Sequence, residues 1–171
     1  MITVTDSTRL TFRLMGQEDA QTLWALDQDP QVMHFINGGK PNSMKTINEV
    51  FLPRMQSYTD ANKGWGIWQV CDKVTKAYLG WVLVRPMDFF TDTPNFMDLE
   101  LGWRFFKKAW GKGYATEAAI AIKEAVASQT ETQFVSALAL EDNTGSIGVM
   151  KKMGMSFIRK YTHKDPLGDF I

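Results

Sequence analysis

The hydrophobic periodicity changes along the chain in an order that few folds accommodate. A strand-like alternation over residues 9–15 precedes three helical patterns, and from Trp65 the period becomes two, which predicts consecutive antiparallel strands. Strand and helix patterns then alternate through the last third of the chain. This order predicts an α/β fold with a mixed central sheet that carries helices on both faces.

Turn and capping residues bound the individual elements. We predict strands over residues 9–15, 66–71, 78–85, 95–106, 134–140 and 155–161, and helices over residues 19–26, 31–36, 43–59, 114–128 and 143–153. Pro53 predicts a kink in the third helix, and Gly154 suits a left-handed cap at the end of the last helix. Residues 169–171 leave room for only a very short final strand.

Length and composition exclude several classes of protein. The 171 residues fit a single domain, residues 1–171, because most domains hold about 100–200 residues. The 19 basic and 19 acidic residues balance, so the chain lacks the basic excess of proteins that bind nucleic acid or anionic lipid. Cys71 has no partner for a disulfide, and the sequence shows neither a membrane-spanning run nor a signal peptide. We therefore expect a soluble, cytoplasmic domain without a nucleic-acid or membrane partner.

The loop before the helix predicted over residues 114–128 carries the sharpest chemical signal. Gly111 and Gly113, at alternate positions, let the backbone turn so that successive N–H groups point into one concavity. The helix that follows adds unbonded N–H groups and the positive end of its dipole. The loop therefore favours a bound phosphate or pyrophosphate, with a plain tight turn as the alternative.

Residues 108–113 resemble the Q/R-x-x-G-x-G/A acyl-CoA loop of the GNAT superfamily of N-acyltransferases. Further segments resemble the branch of ribosomal-protein N-terminal acetyltransferases, the RimJ/RimL-like proteins. These segments are residues 29–35, 100–103, 110–118, 143–146 and 152–155, which cover almost the whole chain in the same order. Two positions depart from the pattern, since Lys108 stands where Gln or Arg is usual and Met150 where many members have a general-acid tyrosine.

The resemblance implies the GNAT fold, in which two central strands splay apart and the pantetheine arm of acetyl-CoA lies between them. Backbone N–H groups around residues 103–105 would then face the arm, and Asn143 would orient its amide. The residues implied to bind this co-substrate are Trp103, Arg104, Phe105, Lys108, Ala109, Trp110, Gly111, Lys112, Gly113, Tyr114, Ala115, Asn143 and Ser146. No metal site is expected, because His34 and His163 lack the spacing of a ligand pair.

Acyl transfer to an amine needs a base, a stabilised oxyanion and a proton for the leaving thiolate. Glu100 is our candidate base, because a carboxylate in the middle of a covered strand requires a partner or a cleft. An ion pair with an arginine is the structural alternative, and Asp98, on the same face, is the second candidate base. Ser146 is the candidate donor to the leaving sulfur, although Ser146 and Asn143 also suit local capping roles.

The sequence thus predicts an acetyl-CoA-dependent N-acetyltransferase in which a primary amine attacks directly in a ternary complex. The resemblance implies that the acceptor is a protein or peptide α-amino group. We expect a monomer or a homodimer. The alternatives are a small-molecule amine, such as a polyamine, an amino acid or an aminoglycoside, and a non-catalytic acyl-CoA-binding module. We expect the acceptor site to be lined by Phe89, Phe90 and Phe96, with His34 as a further candidate. Cys71 lies on an early strand, away from the predicted site, and therefore gives little support to a route through an acyl-cysteine.

Overall fold

The structure of the protein, a computed structural model, describes residues 1–163, and its elements follow most of the sequence patterns. The strands in this part of the chain are β1 (Leu10–Leu14), β2 (Gly66–Asp72), β3 (Tyr78–Met87), β4 (Asn95–Phe105) and β5 (Phe134–Ser136). The helices are α1 (Ala20–Leu26), α2 (Pro30–Asn37), α3 (Met44–Thr46), α4 (Leu52–Tyr58), α5 (Tyr114–Gln129) and α6 (Thr144–Lys152).

The strands form one mixed sheet in the order β1-β2-β3-β4-β5. Neighbours from β1 to β4 are antiparallel; short segments join β2 to β3 and β3 to β4, whereas α1–α4 lie between β1 and β2. β5 lies parallel to β4, because α5 carries the chain back across the sheet before the strand begins. The two parallel strands pair only where Asp98–Glu100 faces Phe134–Ser136.

Both faces of the sheet are covered by helices, which confirms the predicted layering. On one face, Val82, Val84 and Leu101 pack with α5, whose buried residues are Ala118, Ala119, Ile122 and Val126. On the other face, Ile67 and Leu83 pack with the helices between β1 and β2, whose buried residues include Leu23, Ile47, Leu52, Met55 and Tyr58. The alternation of side chains along β3 and β4 separates these two cores.

One predicted strand is shorter in the structure than predicted, and another is absent. The pattern over 134–140 predicts a seven-residue strand, but β5 ends at Ser136. The pattern over 155–161 predicts a strand, but the structure has none there, and Phe157 and Ile158 are exposed. A hydrophobic alternation favours extended backbone but cannot supply a neighbouring strand to pair with. Residues 169–171, the predicted final strand, lie outside the described part of the chain.

The helix predicted over 43–59 is instead divided into α3, a π-helical segment at Ile47–Phe51, and α4. Pro53 explains the division, because proline has no amide hydrogen for the carbonyl of Glu49 and its ring crowds that carbonyl. The wider turn accommodates this crowding. Within residues 1–163, no helix is both long and apolar enough to span a membrane.

Candidate active site

A gap opens in the sheet between the last part of β4 and the chain that follows β5. β4 continues to Phe105, whereas its pairing with β5 stops at Glu100. Residues 101–105 therefore pair with β3 on one side and have no strand on the other among the residues that the structure describes. This is the splayed arrangement of two central strands that the fold prediction requires.

The direction of the β4 backbone groups follows from one hydrogen bond at its end. The N–H of Phe106 donates to the carbonyl oxygen of Leu79 at 2.9 Å and thus points toward β3. Successive residues of a strand direct their N–H groups to opposite sides. The N–H groups of Phe105 and Trp103 therefore point into the gap, whereas that of Arg104 points toward β3.

The glycine loop after β4 has the backbone conformation that an anion site requires. Gly111 and Gly113 have φ values of +70° and +77°, a region that residues with a Cβ rarely adopt. Gly113 caps α5 without a side-chain hydrogen bond, and the first helical amide bond runs from Glu117 to Gly113. The amides at the start of α5 thus have no backbone partner in the described chain. The loop directly before them, residues 110–113, is exposed.

The remaining residues of the loop anchor it or add positive charge. Ala109 is buried, and the indole Nε1 of Trp110 donates to the carbonyl oxygen of Phe105 at 3.0 Å, which fixes the loop to the end of β4. Lys108 and Lys112 are exposed beside the glycines. A phosphate bound here would find cations as well as amides.

Arg9 and Glu117 support this loop, and sequence reasoning missed both. Glu117 Oε1 accepts hydrogen bonds from Ser7 Oγ at 2.7 Å and from the Arg9 amide at 2.9 Å, and Arg9 Nε donates to Oε2 at 2.6 Å. Burial alone would raise the pKa of Glu117, but the hydrogen bonds from Ser7 and Arg9 outweigh it and hold the pKa below its ordinary value. The carboxylate is therefore ionised at neutral pH.

The N-terminus of α6 places two more predicted residues beside the gap. Asn143 Oδ1 accepts from the Ser146 amide at 3.2 Å, so Asn143 is the N-cap of α6. The indole Nε1 of Trp103 donates to Ser146 Oγ at 3.2 Å. Because this bond uses an oxygen lone pair, the hydroxyl hydrogen of Ser146 stays available for another acceptor.

Glu100 lies on the face of β4 opposite to Trp103. It forms an ion pair with an arginine, which the sequence predicted as the alternative to a role as base. Its Oε2 accepts from Arg85 Nε at 2.9 Å and its Oε1 from Arg85 Nη2 at 3.3 Å, and the residue is buried. Asp98 Oδ2 accepts from Ser136 Oγ at 2.9 Å, while its buried Oδ1 has no partner among the described residues. Both carboxylates therefore face the side of the sheet that lies away from α5.

A narrow cleft on that side contains Glu100, Arg85, Asp88 and the two phenylalanines Phe89 and Phe90, with His163 at its rim. The phenylalanine rings meet edge to face, with centroids 5.1 Å apart. Tyr58 packs on both rings, and burial raises its pKa to about 12, so its hydroxyl stays neutral.

Other predicted residues lie away from this cleft. Arg104 extends its side chain to Asp27, with Nη1 to Oδ1 at 2.6 Å, and therefore braces the α1–α2 connection rather than the gap. Phe96 stacks on Trp65. His34 lies in a separate groove between α2 and Trp110. Residues 1–163 contain no group of three or more His, Cys, Asp or Glu side chains that could hold a metal ion.

Several known proteins are similar to this chain in sequence. The family described as Acetyltransferase (GNAT) domain matches residues 9–156. The uncharacterized protein YkkB of Bacillus subtilis is 32% identical over 167 residues, which cover 92% of this chain and 88% of YkkB. FsC-acetyl coenzyme A-N(2)-transacetylase of Aspergillus fumigatus is 25% identical over 158 residues, covering 91% of this chain and 66% of that protein.

Solved structures share the fold at lower identity. A GNAT-family acetyltransferase from Bacillus anthracis has a TM-score of 0.71 at 23% identity and covers 93% of this chain and 85% of its own. Aminoglycoside acetyltransferase AAC(6')-Ib, in complex with coenzyme A, has a TM-score of 0.71 at 16% identity, with coverages of 94% and 90%. A Vibrio cholerae protein assigned as a ribosomal-protein-serine acetyltransferase has a TM-score of 0.66 at 17% identity, with coverages of 88% and 81%.

Proposed function

Because the chain belongs to the GNAT acetyltransferase family and is an acyl-CoA N-acyltransferase that uses acetyl-CoA, we propose that its acceptor is the α-amino group of a protein or peptide. The observation that carries the proposal is the pairing of charges in the narrow cleft beside Glu100, which we assign to the acceptor. Glu100 is matched by Arg85 there, and one further carboxylate among the described residues, that of Asp88, lines the cleft. One further carboxylate matches the single positive charge of a peptide N-terminus better than the several charges of a polyamine.

We assign the donor half of the site to the gap and the glycine loop. The pyrophosphate of acetyl-CoA would accept hydrogen bonds from the amides of residues 111–113 and of the first turn of α5, Tyr114 and Ala115, with the Lys108 side chain nearby. The amides of Ala109 and Trp110, predicted as part of this set, instead donate to the carbonyl oxygens of Phe106 and Lys107. The pantetheine arm would then lie along β4, where the N–H groups of Trp103 and Phe105 point into the gap. Asn143 would donate to the arm through Nδ2, since its Oδ1 already caps α6.

The reaction then needs one bond to form and one to break. The amine nitrogen attacks the thioester carbon, a β4 amide stabilises the oxyanion, and Glu100 takes the proton that the nitrogen loses. An α-amino group has an ordinary pKa of about 7.7–8.0, so a modest base suffices near neutral pH. The C–S bond breaks when the tetrahedral intermediate collapses, and the thiolate leaves beside Ser146.

The role of Ser146 predicts a modest effect when its hydroxyl is removed. Met150 cannot donate a proton, so the thiolate depends on the Ser146 hydroxyl, on water and on the N-terminus of α6. We expect Ser146→Ala to lower turnover on the order of tenfold, because the helix N-terminus still stabilises the thiolate. Steady-state assays at saturating acetyl-CoA measure this effect. Complete loss of activity in a folded Ser146→Ala variant would show that leaving-group protonation limits the reaction.

A small-molecule amine is the second candidate acceptor. It is favoured by the name of one similar structure, that of aminoglycoside acetyltransferase AAC(6')-Ib. An aminoglycoside carries several positive charges, for which the described cleft offers few carboxylates. A smaller amine with fewer positive charges would need fewer carboxylates in the cleft.

A thiol-release assay separates these acceptors. The protein is incubated with acetyl-CoA and, in separate reactions, with N-terminal peptides, spermidine, free amino acids and kanamycin. We expect saturable thiol release with the peptides, and peptides blocked at the α-amino group serve as the control. Release with spermidine or kanamycin and none with peptides would assign the enzyme to small-molecule amines instead.

A further inference from the structure

Arg9, the residue directly before β1, contacts the loop that carries the proposed pyrophosphate site. Its Nη1 donates to the carbonyl oxygen of Lys112 at 2.9 Å, while its Nε is held by Glu117. The guanidinium also lies over the Tyr114 ring, 4.4 Å from the centroid. One side chain therefore contacts the glycine loop and the first turn of α5 together.

The bond to Lys112 determines which way the next amide points. In a trans peptide, the carbonyl and the N–H point in opposite directions. Holding the Lys112 oxygen toward Arg9 therefore turns the Gly113 N–H away from the guanidinium. Because glycine tolerates many backbone conformations, Gly113 does not by itself fix the orientation of the Lys112–Gly113 peptide. In the reversed orientation the peptide would present a carbonyl oxygen where a phosphate needs a donor.

We propose that the Arg9–Glu117 pair is a positioning element for CoA, which holds the Lys112–Gly113 peptide so that the Gly113 N–H can donate to the pyrophosphate. The inference rests on the proposed placement of acetyl-CoA on this loop. The charges of Arg9 and Glu117 offset each other at 2.6 Å, so the pair acts through the orientation of the peptide. Ser7 and the Arg9 amide hold Glu117 in place from the other side.

The test compares a ligand that carries the pyrophosphate with one that lacks it. We expect Arg9→Gln to weaken CoA binding about tenfold by calorimetry, the size of one hydrogen bond to a charged group. Binding of pantetheine, followed by ligand-observed NMR, should stay unchanged. Arg9→Lys keeps the charge but loses the two-pronged geometry, so we expect it to bind CoA as weakly as Arg9→Gln. Glu117→Gln, which keeps the shape of the side chain, should weaken CoA binding in the same direction.

Arg13→Gln is the matched control. Arg13, on β1 four residues after Arg9, forms a comparable ion pair with Asp19, Nη2 to Oδ1 at 2.6 Å, away from the loop. Its loss should lower thermal stability and leave the CoA affinity unchanged. Wild-type CoA affinity in Arg9→Lys would show that Arg9 acts by attracting the negative charge of CoA. Equal losses of affinity for CoA and for pantetheine would show that Arg9 only stabilises the fold. Either result overturns the inference, as does wild-type CoA affinity in Arg9→Gln, whereas failure of the wild-type protein to bind CoA would refute the proposed placement itself.

Discussion

Glu100→Gln is expected to lower turnover at neutral pH about 100-fold or more, a typical contribution of a general base, while CoA affinity stays at the wild-type level. Glutamine keeps the shape of the side chain and an oxygen that can accept from Arg85. Part of the defect should be relieved as the pH rises to about 7.7–8.0, the ordinary pKa of an α-amino group, because more of the amine is then neutral without help; the part that comes from proton transfer during the attack should remain. Turnover measured across that pH range checks both expectations.

The Arg85 contact requires a control for structural damage. Removal of one partner from a buried ion pair costs about 3–5 kcal/mol in many proteins, so the thermal stability of Glu100→Gln must be measured as well. Asp19→Asn removes another buried, ion-paired carboxylate, that of Asp19 with Arg13, far along the chain from β4. We expect it to lower stability without a comparable loss of turnover. Near-normal turnover in Glu100→Gln, together with a large loss in Asp98→Asn, would transfer the role of base to Asp98.

The second large effect concerns the glycine loop. Gly113→Val is expected to weaken CoA binding on the order of 100-fold, because two hydrogen bonds to a charged group are worth about 3 kcal/mol together. The backbone supplies one cause. An added Cβ would lie 3.5 Å from Arg9 Nη2, an ordinary contact, but a β-branched residue rarely adopts φ of +77°. The loop would change conformation and turn its amides away from the phosphate.

Gly154→Val is the matched control for this substitution. Gly154 has φ of +79° at the end of α6, and an added Cβ would meet nothing within 4 Å. The backbone strain is therefore similar, while the glycine loop is unchanged. Calorimetry should give wild-type CoA affinity for Gly154→Val. Equal CoA affinity in wild type and a folded Gly113→Val variant would remove the loop from the proposed site.

The local elements of the site could be predicted from sequence, because short-range patterns determine them. The glycine spacing, the cap at Asn143 and the alternation along β4 each depend on residues within one turn or strand. The supporting contacts could not be predicted in the same way. Arg9 and Glu117 are 108 residues apart, and the indole of Trp103 reaches Ser146 across 43 residues. Such pairs depend on how the sheet and helices assemble.

The short β5 illustrates the same limit. Residues 137–140 continue a strand-like pattern, yet among residues 1–163 they pair with no strand, because β4 and the chain after β5 diverge. That divergence is the opening which the proposed pantetheine arm requires. The partner of Glu100 shows a related limit, since the sequence predicted an arginine as one option but could not identify Arg85 across the turn between β3 and β4.

Mass spectrometry of the reaction product tests the central claim, direct acetylation of an α-amino group, most directly. The protein is incubated with acetyl-CoA and a peptide that has both a free N-terminus and an internal lysine, and the product is fragmented to locate the acetyl group. We predict a single acetyl group on the N-terminal nitrogen and no acetylated form of the enzyme. Acetylation at the lysine alone, or an acetyl group carried on Cys71 during turnover, would contradict the account.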